Sequence, residues 1–242
     1  SLEYLSVKYS MPEWIVEMWF HEYGKEDTEI LLKALSGIHP VCVRFTTNLS
    51  REQREAYVVK WEEQGVIAKQ SEIVPYVYML EAVDGISGLE GFAEGVFTVQ
   101  DISSVLCVEA AGLKETDVAM DICAAPGGKT MLAAEMCSKV YARDLSEKKV
   151  DLIVENIERM GLSDKVETEI WDATVTDEAK TECADVVFMD VPCSGLGVMG
   201  KKRDIKYHVT EESLESLAEL QRQIVGSSWQ YVKKGGVLMY ST

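Results

Sequence analysis

The sequence predicts an α/β protein with a parallel, doubly wound sheet over residues 93–242, preceded by a small α/β domain over residues 1–92. Three observations lead to that expectation. Strand-like and helix-like apolar patterns alternate through the second part, as a parallel sheet with crossover helices requires. Its first strand runs into a turn of small residues, Ala124-Ala125-Pro126-Gly127-Gly128, ahead of a helix. A loop-rich stretch around Asp84-Gly85-Ile86-Ser87-Gly88 and Gly91 separates it from what precedes.

In the first part, Trp14, Ile15, Met18 and Trp19 recur at helical spacing, so Pro12 to Tyr23 is expected to be a helix that stops at Gly24. Glu26 to Leu35 follows as a second helix. Val41 to Thr46 alternates as a strand does. Ser50 is an N-cap for a helix running to Gln64, with Gly65 behind it, and Ile73 to Ala82 is a further strand.

In the second part the expected strands are Val118 to Cys123, Val140 to Asp144, Val166 to Asp172, Ala184 to Val191 and Val237 to Thr242. The fourth is almost wholly apolar, as a strand buried on both faces should be. Helices fall at Lys129 to Cys137, after Ser146 (Val150, Ile153, Val154, Ile157 and Met160 on one face), and from Thr210 to about Val232. Ligands of such sheets bind at the carboxyl ends of the strands.

Composition narrows the function classes. With 47% hydrophobic and 27% charged residues over 242 positions, the chain can bury a globular core. No apolar run has the length of a membrane span and no signal-peptide pattern opens the chain, so no membrane partner is expected. The six cysteines form no C-x-x-C pair and the three histidines are scattered, so no metal site is expected. Reduced thiols and a cytoplasmic location are the corresponding expectation. A net charge of -17 opposes simple electrostatic capture of nucleic acid, although a local basic patch remains compatible with it.

The residues that carry chemistry lie at the strand ends. Gly128-Lys129-Thr130 has the tail of a nucleotide P-loop, but the Gly required five positions before Gly128 is Cys123, and no G-x-G-x-x-G is present. What remains is a small-residue turn that lets a ligand approach the backbone, at a helix N-terminus suited to a carboxylate such as that of methionine. Asp144 lies at the expected end of the second strand, about where an acid that holds a ribose diol belongs. Asp172 and Asp190 fall at the ends of the next two. A lone Asp there is usually a cap; three on successive strands point to an adenosine site. Cys193 follows Pro192 beside Asp190, a setting for covalent chemistry, although a lone Cys is more often an inert buried thiol. Lys201, Lys202, Arg203 and Lys206 are the densest basic group, either a solvated loop or a substrate contact.

Together these residues resemble the RsmB-like (Sun-type) RNA cytosine-C5 methyltransferases, which modify small-subunit ribosomal RNA. Tyr9-Ser10-Met11-Pro12-Glu13-Trp14 is similar to that family's opening motif, Phe97 to Ser104 to the segment leading into its core, Cys123 to Lys129 to its cofactor loop, and Asp190-Val191-Pro192-Cys193-Ser194-Gly195 to its Pro-Cys motif. Met11 and Arg203 replace a common His and Pro, and Lys234 replaces a Pro. The resemblance implies a Rossmann-like S-adenosylmethionine-dependent methyltransferase core. The cofactor would contact Cys123, Ala124, Ala125, Pro126, Gly127, Gly128, Lys129, Asp144, Asp172 and Asp190.

It also implies a catalytic pair, Asp190 and Cys193. A thiolate adds to C6 of cytosine, Asp190 offsets charge near N3, and Cys193 is the family's second cysteine, which helps release product. The attacking Cys would follow Ser241-Thr242, so the chain is expected to be a C-terminally truncated piece that binds cofactor without turnover. The expected partner is small-subunit ribosomal RNA, with Lys201, Lys202, Arg203 and Lys206 facing it and the 1–92 domain a candidate second contact. The alternatives are a non-catalytic RNA-binding or ribosome-assembly factor on the same fold and a small-molecule methyltransferase. The Pro-Cys motif opposes the latter, because simple O- or N-methyl transfer needs no thiol.

Overall fold

The structure, a computed structural model, describes residues 1–37 and 39–242. The chain forms two compact units, one of Ser1–His39 with Cys193–Glu219 and one of Pro40–Pro192 with Leu220–Thr242. Residues 1–39 and 40–92 thus fall in different units.

In the first unit, α1 (Leu2–Tyr9) and α2 (Glu13–Leu35) pack together through apolar faces. The two helices expected around Gly24 are the two arms of α2, which breaks there because Gly24 adopts φ 78°. Leu5, Met11, Ile15, Val16 and Leu32 bury together with Met199, and Leu196 and Ile205 pack against them. The segment after Cys193 is thus held by the N-terminal helices. Gly200 lies so close to the His39 ring that a Cβ there would fall 2.1 Å from Nε2.

The second unit begins with an antiparallel sheet. β1 (Val41–Phe45), α3 (Arg51–Glu63), β2 (Ile67–Gln70), β3 (Val77–Glu81) and β4 (Phe97–Val99) give the order β2-β3-β1-β4. Ser50 and Gln53 close a capping box on α3. Trp61 of α3 stacks on Phe45 at 5.1 Å and meets Phe97 edge-on at 4.8 Å. The strand expected from Ile73 starts only at Val77, because the Ser71 hydroxyl accepts from the amides of Ile73 and Val74 and turns the chain there. β2 was not expected; it is a mostly exposed edge strand with little apolar alternation. β4 lies beyond the expected boundary at residue 92 and pairs with β1 from Val43–Val99 to Phe45–Phe97.

The rest of the unit is α4 (Ile102–Ala110), β5 (Val118–Asp121), α5 (Gly128–Met136), β6 (Lys139–Asp144), α6 (Glu147–Arg159), β7 (Val166–Ile170), β8 (Ala184–Asp190), α7 (Glu211–Ser228, whose first part belongs to the first unit) and β9 (Val232–Ser241). All strand pairs are parallel, in the order β7-β6-β5-β8-β9. This is the Rossmann-like doubly wound sheet that was expected. The order reverses between β5 and β8, the switch point at which such sheets bind ligands. The last helix stops at Ser228 rather than near Val232, and β9 starts earlier than Val237. Gly235, with φ 80°, and Gly236, whose Cβ would lie 2.6 Å from the Asp185 carbonyl, let the strand pass β8 across a register shift.

The two sheets of this unit are joined by buried polar contacts. Arg44 of β1, wholly buried, pairs with Glu135 of α5 at 2.8 Å, and the other Glu135 oxygen accepts from the Thr47 amide. Arg159 of α6 donates to the carbonyls of Phe92 and Phe97.

Candidate active site

The site forms where β5 leaves the sheet. After Asp121 the chain turns through residues 122–127, and Gly127 takes φ 105°, a conformation that side chains disfavour, to start α5. The first turn of a helix leaves backbone N–H groups without intrahelical partners. Asp144, nearly buried at the end of β6, clamps this turn. One carboxylate oxygen accepts from the Ala125 amide at 2.9 Å; the other accepts from the Leu145 amide at 2.7 Å and meets Lys149 Nζ at 2.9 Å.

A cleft of about 290 Å³ opens beside the turn. Of the residues singled out in the sequence, Cys123, Ala124, Ala125, Pro126, Gly128, Lys129 and Asp190 line it. Gly127, Asp144 and Asp172 stand outside that lining. Lys129 Nζ lies 2.6 Å from Asp190 Oδ2, and Asp190 Oδ1 accepts from the Ser241 hydroxyl at 2.7 Å, so β9 orients the β8 carboxylate.

Among the lining residues that sequence reasoning did not single out are Asp121 and Gln100. Asp121 is buried; one oxygen accepts from Thr130 Oγ1 at 2.8 Å and the other has no partner among the described residues. Burial is the main cause that pushes its pKa up to about 6, with the Thr130 hydrogen bond and Lys129 opposing. Its signal was available: an Asp at a strand end directly before the Gly-rich turn. Gln100, in the segment between β4 and α4, is buried and held by Arg44 Nε at 2.7 Å, with its side chain against Gly128. Nothing local in the sequence marks it, because its role depends on the distant Arg44.

The strand expected to end at Asp172 stops at Ile170. Asp172 is exposed and accepts from the amide and hydroxyl of Thr174, at 2.9 and 2.7 Å, which holds its carboxyl below the usual range. It closes a local turn, as a strand-end Asp often does.

The thiols separate by environment. Cys123 is pushed up to about 12, first by burial and then by the neighbouring Asp121 and Asp144 charges, so it stays a neutral packing group near pH 7. Cys193 is the one exposed cysteine of the six, none of which forms a disulfide among the described residues. Arg203 and Lys206 line a cleft within the first unit, while Lys201 and Lys202 are exposed outside that lining. Among the described residues no group of three or more His, Cys, Asp or Glu is arranged to hold a metal ion, and no helix is long and apolar enough to cross a membrane.

Comparison with known proteins agrees with this architecture. The family model described as 16S rRNA methyltransferase RsmB/F matches residues 109–242, and an RsmF/B-like ferredoxin-like domain matches residues 11–84. The chain is 34% identical over 245 residues to the probable ribosomal RNA small subunit methyltransferase B of Bacillus subtilis, covering 98% of this chain and 53% of that protein. It is 31% identical over 243 residues to the ribosomal RNA small subunit methyltransferase B of Proteus mirabilis, covering 97% and 55%. The chain thus spans about half the length of these curated relatives. The crystal structure of PH0851 superposes with a TM-score of 0.91 at 29% identity, over 99% of this chain and 54% of that one. Members of the matched family are S-adenosylmethionine-dependent methyltransferases. With its cofactor-type turn at the switch point of a parallel sheet and a family match over more than half its length, the chain belongs to the RsmB/F family of 16S rRNA methyltransferases.

Proposed function

We propose that the protein transfers a methyl group from S-adenosylmethionine to C5 of a cytosine in small-subunit ribosomal RNA through a covalent Cys–C6 adduct. The observation that carries this reading is the cleft at the β5/β8 switch point, with a glycine-started helix on one side and the Lys129–Asp190 pair on the other. The residues present fit the cofactor. The unpartnered Asp121 oxygen is a buried acceptor in want of a donor, the turn at Gly127 and Gly128 admits close approach, and the helix start suits a carboxylate. Cys123 to Lys129 would hold the amino-acid end. Asp144 shapes that loop and Asp172 is the remaining candidate for the nucleoside. Bound there, S-adenosylmethionine supplies an electrophilic methyl group.

Of this chain's own groups, Asp190 and Cys193 are assigned roles in the chemistry. Cytosine C5 is a poor nucleophile until a thiolate adds to C6 and makes C5 enamine-like. Asp190, kept in place by Lys129 and Ser241, is the group that offsets charge at N3 as the adduct forms. Cys193, the accessible thiol three residues on in sequence, is assigned to the release step, in which a base takes the C5 proton and the enzyme thiol departs as thiolate. Lys201, Lys202, Arg203 and Lys206 are assigned to the RNA strand. Residues 93–242 form the cofactor domain in this reading, and residues 1–92 a second RNA contact.

The test is methyl transfer from labelled S-adenosylmethionine to unmodified small-subunit rRNA by the natural protein, with the position of the label mapped. Label at cytosine C5, with Cys193→Ser trapping a protein–RNA adduct, is the expected result. Label at any other atom, or no transfer and no adduct, overturns it. An adduct lost in Cys193→Ser makes Cys193 the attacking thiol instead.

A further inference from the structure

The first unit contains a cleft of about 390 Å³, the volume of a small-ligand site. Met11, Leu35 and Met199 contribute apolar lining; Ser10, Arg203 and Lys206 contribute groups that suit an anion. Three features of these polar residues lead in one direction.

The first is charge. Neither Arg203 nor Lys206, both lining the cleft, has a carboxylate partner among the described residues, so the positive charge they bring to it is not neutralised. Lys8, also at the cleft, differs, because Glu29 holds it at 2.8 Å and neutralises it. Asp204 lies between the two cations in sequence and forms no ion pair with either.

The second is backbone conformation. Ser10 adopts φ 49°, the left-handed region that a residue with a side chain enters at a cost, and such strain is retained where the surroundings over-determine it. Here they do. The Met11 amide donates to the Ser6 carbonyl at 2.9 Å, and the Ser6 hydroxyl donates to the Met11 carbonyl at 2.6 Å. The third is that the Ser10 hydroxyl makes no hydrogen bond to any described residue. Two unpaired cations and a free hydroxyl, held on an apolar base, match a tetrahedral anion of low charge.

We infer that this cleft seats a backbone phosphodiester of the RNA strand, with Arg203 and Lys206 as charge contacts and Ser10 as a hydroxyl donor. The inference rests on RNA being the substrate. It divides the basic group: Arg203 and Lys206 hold a defined phosphate, whereas Lys201 and Lys202 lie outside the seat. Arg203 suits this task because its planar fork donates two parallel bonds to phosphate oxygens.

The experiment is fluorescence anisotropy of an end-labelled, unstructured single-stranded RNA against the purified protein at several salt concentrations. The variants are the pair Arg203→Gln with Lys206→Gln, the single Ser10→Gly, and a charge-matched control, Lys33→Gln with Lys114→Gln. Ser10→Gly keeps the left-handed turn, which glycine adopts freely, and deletes only the hydroxyl. The double variant is expected to lose about tenfold or more in affinity at ~0.1 M salt and to flatten the log–log salt slope by about 0.7, the value for one phosphate of a single strand. Ser10→Gly should lose about threefold to tenfold with the slope unchanged. Inorganic phosphate should compete with RNA for wild type and not for the double variant. RNA binding in which the double variant matches the control overturns the cleft alone. A wild-type protein that binds no RNA overturns the substrate reading as well.

Discussion

The two clefts of this protein are built in opposite ways. The one at the ends of β5 and β8 comes from neighbouring strands of a rigid parallel sheet and from a turn of consecutive residues, so its polar groups are braced. Asp144 holds three donors and Asp190 two. The one in the first unit comes from the turn after α1 and a segment of short turns beyond residue 195, held by apolar contacts, and two of its cations, Arg203 and Lys206, have no carboxylate partner among the described residues. A braced site suits a small ligand with fixed geometry, since preorganised groups lose little freedom on binding. Unpaired cations suit a polyanion, whose backbone phosphates supply the charge that binding neutralises.

That contrast can be tested from both sides. The largest effect is expected from Glu135→Ala, which leaves Arg44 buried without its partner. Breaking a buried ion pair in this way costs about 3–5 kcal/mol, and Gln100 beside the cofactor loop should loosen with it. Urea denaturation with a cofactor titration measures both; a loss under about 1 kcal/mol means the pair does not brace the site. Met199→Ala follows, at about 2–5 kcal/mol for a large-to-small change in the N-terminal cluster. Hydrogen exchange should show loss of protection in α1, α2 and residues 196–207, with cofactor affinity within about twofold of wild type. A parallel fall in cofactor affinity would erase the proposed division of labour.

Asp121→Asn comes next and has a pH signature. Because the carboxyl titrates higher in the folded state than its ordinary 3.8, its ionisation opposes folding. The penalty is fully present above about pH 6 and vanishes below the unfolded value. At roughly 1.4 kcal/mol per pKa unit, it amounts to on the order of 3 kcal/mol. The Asn variant should therefore gain most on wild type at pH 7, and the gap should close as pH falls from 6 towards 4. Thermal melts across that window that run parallel would remove Asp121 as the strained group. The smallest effect is expected from Asp144→Ala, which should weaken cofactor binding by about 1.5–3 kcal/mol through loss of the turn's acceptor. Asp172→Ala serves as the comparison, and calorimetry showing Asp172 the more costly of the two would place the nucleoside at Asp172 and leave Asp144 a purely local brace.

The amino-acid pattern was enough for the parallel sheet, its helices and the small-residue turn that opens α5. Those features depend on periods of two and 3.6 residues and on glycine and proline in short runs, all local properties of the chain. It was enough, too, to bring Lys129 and Asp190 together, since Asp190 ends β8, Lys129 opens the helix that follows β5, and parallel neighbouring strands bring their carboxyl ends together. It was not enough for Asp121 and Gln100, whose standing depends on burial and on Arg44 far away in sequence. Nor did it distinguish Asp144, which braces the loop, from Asp172, which caps a turn. The packing of the first forty residues on the segment after Cys193 was equally out of reach, because apolar positions say that a face is buried and not against what. Long-range contacts of that kind come from the closing of loops between distant segments, and the tertiary structure alone selects among the faces that could meet.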